Sequence, residues 1–138
     1  DRLHAKALLG DVEFHPNVNR QEKQAFLKSL SVLSVPAQFG EAFGFYVIEA
    51  IAAGVPVVQP NCASFPELIE MTGGGVFYDH DEPESLTDTI EKLLHNPSKA
   101  KAIGLKAREV VREKFSIKHM ADQMAALYEK LTLQTTEA

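Results

Sequence analysis

Glu41 and Glu49 stand eight residues apart in the stretch FGEAFGFYVIEAIAAGVPVV, residues 39–58. Glu49 interrupts an apolar run made by Phe45, Tyr46, Val47, Ile48, Ala50 and Ile51. A carboxylate in such surroundings must meet a partner or change its protonation state. None is close in sequence, because no Lys or Arg occurs between Pro36 and His80. The run from about residue 43 to 53 reads as a helix stopped by Gly54, with Pro56 beyond it. Glu49 then lies nearly two turns along it, roughly 8 Å from its start at about 1.5 Å per residue. The unpaired N–H groups at Phe43, Gly44 and Phe45 form a place for an anion, and Gly40 and Gly44 let the backbone come close to it. A phosphate held there would lie between the two acids, and carboxylates accept hydrogen bonds from sugar hydroxyls well. A nucleotide sugar has that layout. Two plainer readings stand beside this one: Glu41 as an acid that complements the helix dipole, and Glu49 as a helix-surface residue.

The elements around this stretch alternate. DVEF (11–14) reads as a strand and RQEKQAFLKSL (20–30) as a helix with Phe26, Leu27 and Leu30 inward. SVLSVP (31–36) is a buried strand stopped by proline, VPVVQP (55–60) the next strand and SFPELIE (64–70) a short helix. Three glycines, 73–75, turn the chain into GVFY (75–78). This order predicts an α/β fold, a Rossmann-like parallel sheet flanked by helices, with strands near 12–14, 31–35, 56–59 and 75–78. Ligands of such sheets bind beyond the carboxyl ends of the strands, where the loop 37–44 is placed. After Tyr78 only helices follow, over 83–131. Pro83 falls in the first turn of one that carries Leu86, Ile90, Leu93 and Leu94 on one face. Asn96-Pro97 breaks it, 98–115 forms the next, and Ser116 caps a last helix with an inward stripe of Met120, Met124, Leu127, Tyr128 and Leu131. The tail TLQTTEA is expected to fray. The opening RLHAKALLG resembles the last turns of a helix whose strand lies upstream, as in a piece of a larger lobe.

Composition narrows the classes. With 138 residues, 45% hydrophobic and 24% charged, the chain suits one soluble domain. The net charge of -5 argues against broad binding to nucleic acid or anionic membranes. No run approaches transmembrane length, and one cysteine, Cys62, excludes an internal disulfide and fits a reducing, cytoplasmic setting. Cys62 has no basic neighbour in sequence to activate it, and the five histidines lack paired metal-ligand spacing. DHD (79–81) reads as a solvated loop, and glycines 73–75 lack the Lys-Ser/Thr of a phosphate-binding P-loop.

EAFGFYVIEAIAAGVPVV resembles the signature of the retaining glycosyltransferases of family 4 (group 1), which have the two-lobed GT-B fold. The mark is Glu, seven residues, Glu, a small-residue helix, Gly and a Pro-Val-Val strand. The likeness runs on through Pro66-Glu67, the glycines at 73–75 and REKFS with the last helix. It covers nearly the whole chain. It implies that residues 1–138 make up most of the donor-binding C-terminal lobe, and that an N-terminal acceptor lobe lies outside them. It further implies that Glu49 holds the donor ribose and that the backbone at Phe43, Gly44 and Phe45 holds the diphosphate. Glu41 would be the catalytic residue, in contact with the donor sugar near the reacting centre, where positive charge develops. The donor would be a nucleotide diphosphate sugar, with no cofactor and no metal. The partner would be the missing lobe, through which peripheral membrane contact could occur.

The sequence departs from the family pattern in three places. One extra residue separates Pro36-Ala37 from Glu41, and Cys62-Ala63-Ser64 stands where a glycine pair often precedes Pro-Glu. The upstream Arg and Lys that neutralise the diphosphate have no counterpart, since Arg2 and Lys6 fall too late in the pattern. The chain by itself is therefore expected to be inactive in transfer. A second class stays open: a non-catalytic nucleotide-binding or interaction subunit of a two-chain transferase. A phosphoacceptor receiver domain, also α/β, lacks its strand-end Asp and early acidic pair here.

Overall fold

The computed structural model describes residues 12–37, 41–82 and 84–136. Helix α1 (Arg20–Ser29) leads to strand β1 (Leu33–Ser34), then helix α2 (Phe45–Ala52) and strand β2 (Val57–Pro60). Helix α3 (Phe65–Thr72) and strand β3 (Gly75–Tyr78) complete the alternating part. Helices α4 (Ser85–Leu94), α5 (Pro97–Lys114) and α6 (Ile117–Thr136) follow. The strands lie in the order β1-β2-β3, all parallel, with Leu33 opposite Val57 and Val57 opposite Gly75. All four residues of β2 are buried, as expected for a central parallel strand covered on both faces. The expected α/β architecture is present.

Local chemistry sets the ends of these elements. The Asn19 Oδ1 accepts from the backbone N–H of Gln21 and Glu22, and the Glu22 carboxylate accepts from the Asn19 N–H at 2.8 Å, a capping box that starts α1. At the far end of α2, Gly54 N–H bonds the Ile51 carbonyl at 2.9 Å and Val55 N–H the Ala50 carbonyl at 3.0 Å. This is a Schellman stop, with Gly54 at φ 86°. Ser116 caps α6 as expected, its Oγ accepting from His119 N–H at 3.1 Å.

The core lies on both faces of the sheet. One side joins Leu27 of α1, Val47, Ala50 and Ile51 of α2, Val57, Phe65 and Ala107 of α5. The other gathers Val58, Tyr78, Leu93 and Ala100. Helix α5 crosses the exit of α2 so closely that a methyl group on Gly104 would overlap the Gly54 carbonyl oxygen.

Four expectations are corrected. The strand expected at 12–14 is absent: Val12, Glu13 and Phe14 are coil, and Phe14 is 76% exposed. A strand forms only against an edge it can pair with, and here Pro16 and Asn17 (φ 53°) turn the chain at once toward α1. The described sheet thus has three strands, not four. The stripe on α6 is not core. Ile117, Met120, Met124, Leu127, Tyr128 and Leu131 are all exposed, because among the described residues α6 packs only lightly, against α5. The tail is not frayed from 132 onward: the helix runs to Thr136, with Thr132 Oγ1 bonding back to the Tyr128 carbonyl at 2.8 Å. Finally, Glu49 is not sunk in the apolar run, since its side chain keeps 42% of its surface open to water. The expectations for 1–11, for Gly40 in its loop and for Pro83 lie outside the described residues.

Candidate functional site

The strand β1 ends at Ser34, and Pro36 sits in a tight turn in which Ala37 N–H bonds the Val35 carbonyl at 2.8 Å. The chain returns at Glu41 and enters α2 through Phe43 and Gly44. Gly44 occupies the cap position at φ 79°, ψ 57°, a left-handed conformation that suits glycine. A methyl there would also press on Phe65 Cε1 at 3.3 Å and make ordinary contact with Glu41 Cγ at 3.5 Å. Among the described residues no side chain caps this end, which carries the positive end of the helix dipole. Phe43 and Phe45 flank them, ring to ring at 4.8 Å, and Phe45 is 74% exposed. The Ser64 hydroxyl, at the head of α3, donates to the Phe43 carbonyl at 3.2 Å and ties the loop down. Next to it Ala63 takes φ 52°, where the family pattern often has glycine. A non-glycine residue there costs about 1–2 kcal/mol.

Five of the expected site residues therefore come together. Glu41, Phe43, Gly44 and Phe45 form the entrance to α2, and Glu49 projects from the same helix a turn further on. Glu49 meets a partner that its own stretch does not contain. The Lys23 ammonium of α1 donates to Glu49 Oε1 at 2.6 Å across a separation of 26 residues. Both side chains are close to half exposed, so the pair adds only about 0.2–1 kcal/mol to stability. A groove of about 760 Å³ opens beside it between α1 and α2, lined by Asn19, Arg20, Lys23, Lys28, Glu49 and Ala52 among others. The region without cations in the sequence is thus supplied with them from α1.

Sequence reasoning missed this lysine, although a signal existed. Lys23 lies four residues before the buried Leu27 and seven before Leu30, so it belongs to the inward stripe of its helix. It also missed three buried polar groups near the carboxyl end of the sheet. The Ser34 hydroxyl, the Tyr46 hydroxyl and both amide atoms of Gln59 find no hydrogen-bond partner among the described residues. Burial raises the pKa of Tyr46, and the negative charge of Glu41 raises it further. Asp79, His80 and Asp81 cluster in an exposed turn, where Asp79 Oδ1 accepts from Asp81 N–H at 3.0 Å at the approach to α4.

The sequence model for glycosyl transferases group 1 matches residues 1–110. The chain belongs to this family. Within it, the MMP alpha-(1->4)-mannosyltransferase of Mycolicibacterium hassiacum is 28% identical over 132 residues, covering 94% of this chain and 32% of the relative. The D-inositol 3-phosphate glycosyltransferase of Streptomyces griseus is 30% identical over 107 residues, 77% of this chain and 22% of that protein. Among solved structures, sucrose-phosphate synthase from Thermosynechococcus elongatus superimposes with a TM-score of 0.80 at 28% identity. That superposition covers 96% of this chain and 33% of the synthase, which has the GT-B fold. The group 1 chain described here spans a third or less of the length of these three proteins. Among its described residues no helix is long and apolar enough to cross a membrane.

Proposed function

We propose that this chain forms the donor-nucleotide side of a retaining glycosyltransferase of family 4, which moves a sugar from a nucleotide diphosphate sugar to an acceptor. The observation that carries this reading is the start of α2, which no side chain among the described residues caps, with glycine at φ 79° and acids on either side of it. In this reading the N–H groups after Gly44 hold the diphosphate, and Glu49 accepts hydrogen bonds from the ribose hydroxyls. Glu41 stands beside the donor sugar. During transfer the bond from the anomeric carbon to the diphosphate oxygen breaks, and the bonding pair leaves with the diphosphate. The acceptor oxygen bonds to the same carbon on the same face and passes its proton to the departing diphosphate oxygen, and Glu41 stabilises the positive charge that develops in between. The fixed dipole of α2 and the cations of the neighbouring groove oppose the charge of the nucleotide.

Family membership and the share of each relative that is matched support a division of labour, with the acceptor held elsewhere in a longer protein. Transfer and donor hydrolysis by residues 1–138 alone are accordingly expected at background rate, because positioning two substrates supplies several kcal/mol of a barrier. Titration calorimetry of the whole protein with nucleoside diphosphates tests the site. Glu49→Ala should weaken binding by about 1–3 kcal/mol and Glu49→Gln by less. Equal affinity for wild type and the alanine variant would remove Glu49 from the site.

A further inference from the structure

Glu49 is the only ionisable residue of α2 apart from Tyr46, and it opens onto a groove that carries Arg20, Lys23 and Lys28. Of these, Lys23 makes the bond. Its Nζ lies 2.6 Å from Oε1, and Glu49 Oε2 carries no hydrogen bond among the described residues. One oxygen of the carboxylate is held and the other is open. The root of the lysine is fixed as well, because Lys23 stands one turn from the buried Leu27 on a helix whose first turn is locked by the Asn19–Glu22 capping box. A glutamate side chain has several rotamers, and a ligand that must order it loses affinity. One that finds it ordered does not.

We infer that Lys23 is a positioning residue for the donor nucleotide: it holds the Glu49 carboxylate in place, so that Oε2 meets the ribose hydroxyls. The inference rests on the assignment of Glu49 to the ribose. It differs from a direct role of Lys23 on the phosphates, which would act on any diphosphate, with or without a ribose diol.

The test compares two ligands in the whole protein: whichever of ADP, GDP and UDP binds the wild type most tightly, and its 2′,3′-dideoxy counterpart. Lys23→Met should weaken the ribonucleotide about tenfold, while Lys23→Arg stays within about threefold of wild type. The dideoxy ligand should bind the wild type and Lys23→Met alike. Adding Lys23→Met to Glu49→Gln should bring little further loss, since one interaction unit has already been broken. Equal losses of both ligands in Lys23→Met would place the lysine on the phosphates or in the general architecture and overturn the inference. No loss of either would overturn it too. The two assignments fail in distinguishable ways. If Glu49→Ala does not discriminate between the ligands, the ribose assignment falls and takes this inference with it. If Glu49→Ala discriminates and Lys23→Met does not, the lysine assignment falls alone.

Discussion

Gly104→Ala, in the middle of α5, sets two effects of opposite sign against each other. Helix propensity alone favours alanine over glycine by about 1 kcal/mol. The structure opposes it. A methyl group at 104 would overlap the Gly54 carbonyl oxygen, sit 2.7 Å from its carbonyl carbon and lie 3.2 Å from Pro56 Cδ. The obstructing atoms are backbone, and the Gly54 backbone cannot retreat, because its N–H is bonded to Ile51 at 2.9 Å within the stop of α2. Helix α5 must therefore move off the exit of α2. Overpacking of this kind costs about 1–3 kcal/mol, and overlap with main chain belongs at the upper end. Subtracting the propensity gain leaves a net loss of about 2 kcal/mol, or a fall in Tm of about 6–8 °C for a domain of this length. Thermal unfolding read by circular dichroism, with urea titration to check that the m-value is unchanged, measures it. A Tm equal to or above that of the parent would show that propensity wins and that α5 does not bear on Gly54 as described.

Further expectations concern the entrance to α2. Tyr46→Phe removes a buried hydroxyl that has no hydrogen-bond partner among the described residues, so stability should be unchanged or rise by up to about 1 kcal/mol. Burial, and then the charge of Glu41, hold the Tyr46 pKa above its usual 10.0, so the folded state keeps this proton longer than the unfolded chain does. Its contribution is complete below about pH 10 and is lost as pH rises through the folded value, so the Phe variant should show a shallower alkaline decline in urea titrations between pH 9 and 11. Glu41→Ala in the whole protein should cut turnover far more than it weakens nucleoside diphosphate binding, and a near-normal kcat would reduce Glu41 to a helix-end acid.

The sequence was most legible where local rules suffice. GVFY at 75–78 is a strand over its whole length, and the small-residue helix ends at Gly54 with its stop motif complete. The two-glutamate spacing put its residues near one helix entrance, Glu41 just ahead of the cap at Gly44 and Glu49 one turn inside α2. Pairings between distant segments were not legible. Lys23 and Glu49 meet only once α1 packs beside α2, and no property of the run 39–58 encodes that neighbour. Val12–Phe14 has an alternating pattern, but a strand needs an edge as well as a pattern. The stripe on α6 marks a face that favours contact, and it does not say what lies over that face. The buried amide of Gln59 was hidden for a similar reason: from VPVVQP alone, a polar residue at a strand end reads as solvated.

Helix α2 is short and is fixed at both ends. At its start Gly44 fits between Phe65 and Glu41, and at its finish the Gly54 carbonyl abuts Gly104. Such a helix acts as a ruler whose graduations cannot slide. Each residue turns a side chain by about 100° and advances it by about 1.5 Å. One residue added or removed between 45 and 52 would therefore swing the position of Glu49 away from Lys23 and from the groove, or drive a buried position such as Val47 or Ile51 toward water. Side chains in this segment can be exchanged within limits of volume and charge, but its length cannot. Variation in the reach of the site must come from the loop ahead of Gly44, where the chain already carries one residue more than the family pattern.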